Sequence, residues 1–317
     1  MTQRFLFFVF VLMVAFVATL NAQVTTSGIS GKVTSESEVI IGATVVATNV
    51  STGAQYGAIS NMDGNYVIAG MQAGGPYKVE VSYVGFSKLT FNNVTLNLGE
   101  TFVLNAKIRE SSVEIGEVIV VGARAKDFNN ERNGAAINIS SKQIGFMPTI
   151  SRSINDVTRL TPQANGNQIG GGNYRQNTVT VDGAQFNNAF GIGSNMPGNG
   201  APISLDALDQ VSVNITPFDV RQSGFIGASI NAVTKSGTNE FKGSAYTYLQ
   251  NEKYRGNKVG DLTFTKTPAD FNLYGLTLGG PIIKNKLFFF INYETEKSSV
   301  PGDRKSTRLN SSHGIIW

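Results

Sequence analysis

Residues 271–296 read FNLYGLTLGGPIIKNKLFFFINYETE, and this stretch decides the fold class. Two strand-like runs, 271–280 and 286–296, flank a tight turn at Pro281–Asn285. The second run alternates between two sets of side chains, Leu287, Phe289, Ile291 and Tyr293 against Phe288, Phe290, Asn292 and Glu294. The first set is apolar and the second becomes polar toward its end, as expected of a strand between lipid and water. A tilted strand of about 9–11 residues spans a bilayer.

A hairpin in a soluble β-sandwich fits the same pattern, and these residues alone leave both interpretations open. The preceding segment, 213–248, reads VNITPFDVRQSGFIGASINAVTKSGTNEFKGSAYTY. It resembles the junction between plug and barrel in TonB-dependent receptors, and the nearest type is the Oar-like (SusC-like) branch. The resemblance implies a plugged barrel of about 22 strands. Residues 240–300 would supply only the first three or so, so we expect the chain to be an N-terminal fragment.

Residues 134–239 have a mixed α/β pattern, and the resemblance identifies them as the plug. The run SRSINDVTRLTP, 151–162, predicts a short helix with Ile154, Val157 and Leu160 on one face and Pro162 at its end. Strands are predicted within 177–183, 203–215 and 227–239, the first of them entering an Asp-Gly turn.

Two glycine-rich segments, 164–176 and 191–201, are too long to be simple connectors, and loops of this kind are usually functional. GGGN at 170–173 is followed by no GK[ST] motif, which argues against a phosphate-binding loop. In a receptor of this family the plug loops would face the substrate. The predicted substrate-facing residues are Gly170, Gly171, Gly172, Asn173, Tyr174, Arg175, Asn195 and Met196.

Residues 23–110 show about seven strand-like runs separated by Gly, Asn, Asp or Ser, which predicts a β-sandwich. The motifs GKVT, IGATVVATNVSTGAQYGAISNMDGNYVI and YKVEVSYVGF resemble the carboxypeptidase-regulatory-like domain, which has a transthyretin-like sandwich fold. The name of that family does not imply catalysis. Asp63, in the turn 61–66, lacks the oxygen-rich spacing of a calcium loop, so we expect a plain turn.

The segment 111–133 contains a short apolar run within polar sequence. Its acidic-then-apolar residues, Glu117, Val118, Ile119, Val120 and Val121, resemble the TonB box, which that family offers to an inner-membrane-anchored energy transducer. An extended segment can add to a sheet edge through main-chain hydrogen bonds, which demand little of side chains. This hypothesis expects the segment to stay unpaired within its own chain. The alternative is that it completes the front sandwich.

The two ends of the chain carry no domain. Residues 1–22 have the positive start and the apolar run 5–18 of a signal peptide, and a membrane-spanning helix would need about 18 apolar residues or more. Residues 304–317 resemble translated sequencing adapter and are expected to be a non-native tail, with an ordinary solvated loop as the alternative. Without Arg4, Arg304, Lys305 and Arg308, 22 basic residues remain of the 26, against 22 acidic ones. The nominal excess of basic over acidic residues is therefore no argument for a nucleic-acid partner.

The composition also limits chemistry. The sequence has no cysteine, and its single histidine, His313, lies in the tail. Metal peptidase and Ser-His-Asp sites therefore lack their parts, and we predict no catalytic residue, no metal and no cofactor. The nearby carboxylates Asp206 and Asp209 are expected to be solvated.

The predicted fold class is mainly β: a front sandwich, a mixed α/β plug and the first strands of a transmembrane barrel. The predicted function is energy-coupled uptake of an unidentified substrate through the cell outer membrane, with the front domain in the periplasm. Partners implied by the resemblance are the transducer, outer-membrane lipid and, in some relatives, a SusD-like surface lipoprotein. A non-transporting envelope protein for adhesion or protein export is the alternative, and transducer binding by Glu117–Val121 discriminates between the two.

Overall fold

The structure, a computed structural model, describes residues 25–36, 38–110, 118–121, 136–147, 149, 152–166, 168–187, 203–216, 222, 224–254, 256–263, 265–266 and 270–299. For 118–121 only the backbone is described. The predicted signal peptide and tail lie outside these residues. The strands are β1 Thr26–Thr34, β2 Thr44–Asn49, β3 Gln55–Ile59, β4 Asn65–Gln72, β5 Gly74–Ser82, β6 Leu89–Leu96, β7 Thr101–Val103, β8 Ala106–Lys107, β9 Val118–Val121, β10 Ala136–Ser140, β11 Ala164–Asn165, β12 Gln168–Ile169, β13 Thr178–Val181, β14 Ala184–Gln185, β15 Leu208–Asn214, β16 Ser229–Thr234, β17 Lys242–Gln250, β18 Lys258–Val259, β19 Leu262–Thr263, β20 Asp270–Ile283 and β21 Leu287–Ser299. The α-helices are α1 Ser141–Phe146 and α2 Ile154–Thr158.

The first unit, called the front sandwich here, comprises residues 25–110 together with β9. One sheet has the order β4-β1-β7, with β8 also on β1, and the other has the order β3-β2-β5-β6-β9. Tyr77, Val79 and Val81 alternate along β5 and are fully buried, whereas Lys78 and Glu80 face outward. A hydrogen bond from Lys88 lowers the pKa of the Glu80 carboxyl. The predicted sandwich is confirmed, because its buried core draws on residues 29–108.

One detail of the front sandwich differs from the sequence prediction, and another agrees with it. Residues 101–108, TFVLNAKI, are one of the seven strand-like runs of the sequence, but they form the two short strands β7 and β8, both parallel to β1. Tyr66 lies across this region, and its hydroxyl donates a 2.6 Å hydrogen bond to the carbonyl oxygen of Leu104. The turn at Asn61 is a plain one, as expected, because the Asn61 side chain accepts from the backbone of Asp63 and Asn65.

The central domain, residues 136–239, is built on a sheet with the order β10-β15-β16-β13-β14. The three predicted strands are confirmed as β13, β15 and β16. Asp182 and Gly183 both have positive φ, at 49° and 83°, in the turn from β13 into β14. Every residue of β15 except Asp209 is buried, so this strand lies in the middle of the domain. No helix in the described part of the chain is both long and apolar enough to cross a membrane.

The helices of the central domain are only partly predictable. The structure shortens the predicted helix at 151–162 to α2, with Ser153 as its N-cap and Arg159 as its C-cap. Ile154 and Val157 are buried as expected, but Leu160 lies beyond the helix and is 52% exposed, so its predicted place on the buried face is wrong. Helix α1 was not predicted, although Ser140 and Gln143 form a capping box at its start.

The third unit is an antiparallel sheet, residues 242–299, with the order β17-β20-β21. Large apolar side chains are exposed on its outer face, among them Leu276 beside Tyr293 and Leu278 beside Ile291. The opposite face carries Tyr246, Glu294 and other polar groups and is turned toward the central domain. The alternation predicted from 287–294 is therefore confirmed for Leu287, Ile291 and Tyr293, whereas Phe289 is half-buried against Phe241.

The Tyr66 contact gives a test of the front sandwich. Because the hydroxyl lies in the core, Tyr66→Phe should leave the Leu104 carbonyl without this donor and lower the free energy of unfolding by about 1–3 kcal/mol. The measurement is urea unfolding of a chain shortened to residues 23–110, which contains all core residues of this unit that the structure describes. Tyr83→Phe, at a partly exposed surface tyrosine, is the control and should change little. Equal stability of the two variants would contradict this account.

Candidate functional site

The segment predicted as a coupling strand is paired within its own chain. Val118–Val121 forms β9, which lies parallel to β6 with Leu89 opposite Val118 and Asn92 opposite Val121. The expectation that this segment stays unpaired is therefore wrong for this conformation. The physical reason is that β6 would otherwise be an open sheet edge, and four β-branched residues are well suited to cover it.

Strand β9 is also an edge strand. It stands last in the order β3-β2-β5-β6-β9, so only one of its two backbone edges is paired by the described residues. Glu117, the first residue of the predicted segment, lies outside the described residues, as do the flanks 111–117 and 122–135. The alternative in which the segment completes the front sandwich thus gains support. The outer edge of β9 can still accept another strand.

A buried amide joins the front sandwich to the central domain. The side chain of Gln210, on β15, accepts a 2.9 Å hydrogen bond from the backbone N–H of Leu98 and donates one of 3.1 Å to the carbonyl oxygen of Leu96. Beside it, Asn138 of β10 donates to the Glu100 carboxylate at 2.8 Å. Two neighbouring strands of the central sheet therefore hold the turn that follows β6.

The front sandwich also touches one end of the three-stranded sheet. The backbone N–H of Asn239 donates to the Ser51 carbonyl oxygen at 2.9 Å, and Asn239 and Asn285 exchange hydrogen bonds. Asn285 belongs to the tight turn between β20 and β21. At the far ends of the strands, β17 and β20 are joined by the longer connection 251–269. The front sandwich thus lies at the short-turn end of the sheet.

A polar cavity of about 400 Å³ lies where the three units meet. Asp209 and Lys235 of the central domain line it together with Gln72 of the front sandwich and Ser244 of β17. Burial raises the pKa of the Asp209 carboxyl, while a hydrogen bond from Ser141 partly offsets this effect. Asp209 is therefore not the solvated residue expected from sequence. Among the described residues, no group of three or more His, Asp or Glu side chains could hold a metal ion.

The central domain meets the inner face of the three-stranded sheet around Arg152. Its guanidinium pairs with Asp206 and lies over the rings of Tyr246 and Tyr248, at 5.0 and 4.3 Å from their centroids. Asp206 is thus an ion-pair partner, in contrast to the solvated carboxylate that was predicted. Arg152 also has a positive φ of 49°, a conformation that a non-glycine residue adopts only when its surroundings hold it there.

A second contact on that face involves carboxylate and hydroxyl groups. The Glu294 carboxylate accepts hydrogen bonds from Ser204, at 2.9 Å, and from Tyr246, at 2.6 Å. Gly275 lies directly beneath the Tyr246 ring, which a Cβ at that position would overlap. The inner face of the sheet is therefore shaped to receive the central domain.

The glycine-rich loop lies at the opposite end of the central domain from the front sandwich. Residues 170–176 lead into the start of β13, whereas the end of β16 continues toward Ser236, which contacts the front sandwich through Gln72. Gly170 and Gly171 have positive φ, and Asn173 caps the turn Tyr174–Gln176. The Arg175 guanidinium lies 5.5 Å from the centroid of the half-buried Tyr174 ring. Asn195 and Met196 lie outside the described residues.

The sequence prediction missed Gln210 and Arg152. A glutamine within the otherwise apolar or small run of β15 is a weak signal, since a buried amide requires hydrogen-bond partners. Arg152 gave no signal, because its partners are 54 or more positions away in sequence.

Comparison with known families supports the two flanking units. Residues 28–109 match the carboxypeptidase regulatory-like domain, and residues 233–308 match an outer membrane beta barrel domain. The second match includes the first residues of the segment that the sequence analysis set apart as a tail. The TonB-dependent transporter Oar of Myxococcus xanthus is 27% identical over 268 residues, covering 78% of this chain. The chain spans about a quarter of that relative's length, 24%.

Solved structures of siderophore receptors are also similar to this chain. PirA from Acinetobacter baumannii is 22% identical, with 51% of this chain and 24% of that chain covered and a TM-score of 0.42. PirA from Pseudomonas aeruginosa is 19% identical, with 53% and 28% covered and a TM-score of 0.40. Scores of this size do not by themselves establish a shared fold. The barrel match places the chain in the cell outer membrane. The two domain matches in this order, together with the likeness to Oar, support the resemblance of the chain to TonB-dependent receptors.

Proposed function

We propose that this chain belongs to an outer-membrane receptor that takes up its substrate with energy supplied by a TonB-type transducer. The observation that carries the proposal is the packing of the central domain against the polar inner face of strands whose outer face is apolar. A plug in a lipid-embedded barrel requires this arrangement, because lipid accepts only apolar side chains while the lumen accepts polar ones. The role is one of binding and transport, without catalysis.

The orientation in the membrane follows from the lengths of the connections. Outer-membrane barrels have short periplasmic turns and longer extracellular loops. The tight turn at Asn285 lies beside the front sandwich, which supports a periplasmic front domain. The connection 251–269 and the glycine-rich loop 170–176 would then lie on the extracellular side. Gly170–Arg175, among them the exposed Arg175 and the half-buried Tyr174, are the described plug residues proposed to face the substrate, and Asn195 and Met196 are proposed with them.

Coupling is assigned to Glu117–Val121. The transducer would bind the segment through main-chain pairing, and a pull on it would loosen the central domain within the barrel. A SusD-like surface lipoprotein is proposed as a second partner. The family resemblance alone suggests both the transducer and that lipoprotein.

One observation favours the alternative of a non-transporting adhesion or export component. Strand β9 is already paired with β6, and a strand that only completes the sandwich needs no transducer. The two functions differ in whether disrupting β9 stops energised uptake. Strand β9 stands last in its sheet, so among the described residues its disruption removes only the pairing with β6.

Ile119→Pro provides the test of the coupling assignment. Proline removes the backbone N–H and fixes φ, so it interrupts strand pairing, whereas Ile119→Ala keeps the backbone groups. In the full-length receptor we expect Ile119→Pro to abolish energised uptake while surface level and ligand binding persist, and Ile119→Ala to lower uptake several-fold at most. Uptake and binding are measured in the same cells. Unchanged uptake with Ile119→Pro contradicts the assignment, and loss of folding favours the alternative.

The contact around Arg152 predicts how firmly the central domain is held. Arg152→Ala removes a largely buried ion pair and two cation–π contacts, which should destabilise the central domain within the barrel by about 2 kcal/mol or more. The measurement is the urea concentration at which protease first cleaves the central domain of the detergent-purified full-length receptor. Lys142→Ala, at an exposed position of α1, is the matched control. An identical midpoint for both variants would show that the Arg152 contact does not hold the domain.

A further inference from the structure

The front sandwich has no role in the proposed function beyond lying next to the coupling strand. The structure nevertheless holds β9 on the β6 edge of that sandwich, in register over four residues. The outer edge of β9 has no partner among the described residues. A strand that adds to a sheet needs one free edge only, so a transducer strand can pair with β9 without removing it from β6.

Departure of β9 from β6 would cost free energy. Addition of a partner strand to the outer edge of β9 avoids this cost. If β9 departed, the backbone groups of Leu89–Asn92 that face it would lose their partners. Leu89 and Phe91, each 7% exposed and part of the sandwich core, would lie beside an open edge. Addition to the outer edge keeps these contacts and also covers an edge that is otherwise open. The docked position is therefore the favoured one for receiving a partner strand.

From β6 a continuous set of contacts leads into the central domain. The strand ends at Leu96, and the Gln210 amide holds the backbone of Leu96 and Leu98 with two buried hydrogen bonds. Glu100, in the same turn, accepts from Asn138. Gln210 and Asn138 lie on β15 and β10, which pair with each other over five residues. A force on the sheet that contains β6 therefore arrives at β15 and β10 of the central sheet.

We propose that the front sandwich holds the coupling strand in place and transmits the transducer's force to the central domain. The partner is an extended strand that adds to the outer edge of β9, and its pull reaches the central domain through β6 and the Gln210 contact. This inference rests on the proposed coupling role of Glu117–Val121 and assigns a function to a domain that otherwise has none.

A disulfide between β6 and β9 tests whether β9 stays docked. The 317 residues contain no cysteine, so Asn92→Cys with Val121→Cys would add a single bridge to this part of the receptor. These positions are opposite each other in the register, and adjacent strands are about 4.8 Å apart, within the range of a disulfide. Asn92 is only half-buried, so the bridge is accessible to oxidant. The two single-cysteine variants are the controls.

The oxidised double variant should keep at least half of the uptake of the single variants, scored per receptor at the cell surface. The proposal is overturned if oxidation reduces uptake to the level of Ile119→Pro and a membrane-permeant reductant restores it, because β9 would then have to leave β6. In that outcome the coupling assignment itself survives. If Ile119→Pro leaves uptake unchanged, the coupling assignment fails before the bridge is considered.

A second variant tests the path of the pull and does not depend on the bridge. Gln210→Ala removes both hydrogen bonds to the turn after β6, and we expect uptake per surface receptor to fall at least five-fold with ligand affinity unchanged. Gln185→Ala, at an exposed edge of the same sheet, is the matched control and should behave as wild type. A merely structural role of Gln210 would change surface level or ligand affinity instead. Uptake equal to that of the control overturns the proposal.

Discussion

The arrangement of this chain depends on one buried amide, that of Gln210. Its two hydrogen bonds reach the main chain across the boundary between two sheets, where unpaired polar groups would be costly. The amide can satisfy both a donor and an acceptor in the turn that follows β6, so it fixes the position of the front sandwich on the central domain. The contacts at Asn239 and Asn285 then set that sandwich against the short-turn end of the membrane strands.

A second constraint is the need to satisfy sheet edges and faces in two different solvents. The outer face of β20 and β21 suits lipid because its exposed residues are apolar, and its inner face suits a polar plug because Glu294 and Tyr246 find partners there. The edge of β6 also needs a partner, and β9 provides it by pairing with the backbone of β6. The strand to which we assign energy coupling is thus also a structural element of the front sandwich, and its two backbone edges would allow both roles.

The polar contacts of the central domain differ in how far they depend on the neighbouring units. Arg152 is held between two tyrosines and Asp206, with a backbone conformation that depends on those neighbours. Asp209 lies at the cavity where three units meet, and burial raises its pKa. These groups belong to interfaces between units, so a displacement of the central domain in the barrel would have to break or rearrange them. The glycine-rich loop, by contrast, makes its turns mainly from its own residues.

The sequence by itself determined the strands of each unit, because alternation along strands and turn residues between them are local properties, whereas the choice between a barrel and a soluble hairpin rested on the family resemblance. It therefore predicted the front sandwich, the strands β13, β15 and β16 and the two faces of β21. It could not determine the length of α2, where Leu160 falls outside the helix, nor the partner of β9. Nor could it place Gln210 against Leu96 and Leu98, or Arg152 against Tyr248. Those decisions belong to the tertiary structure, because which edge or buried group finds a partner depends on residues far apart in the chain that only folding brings together.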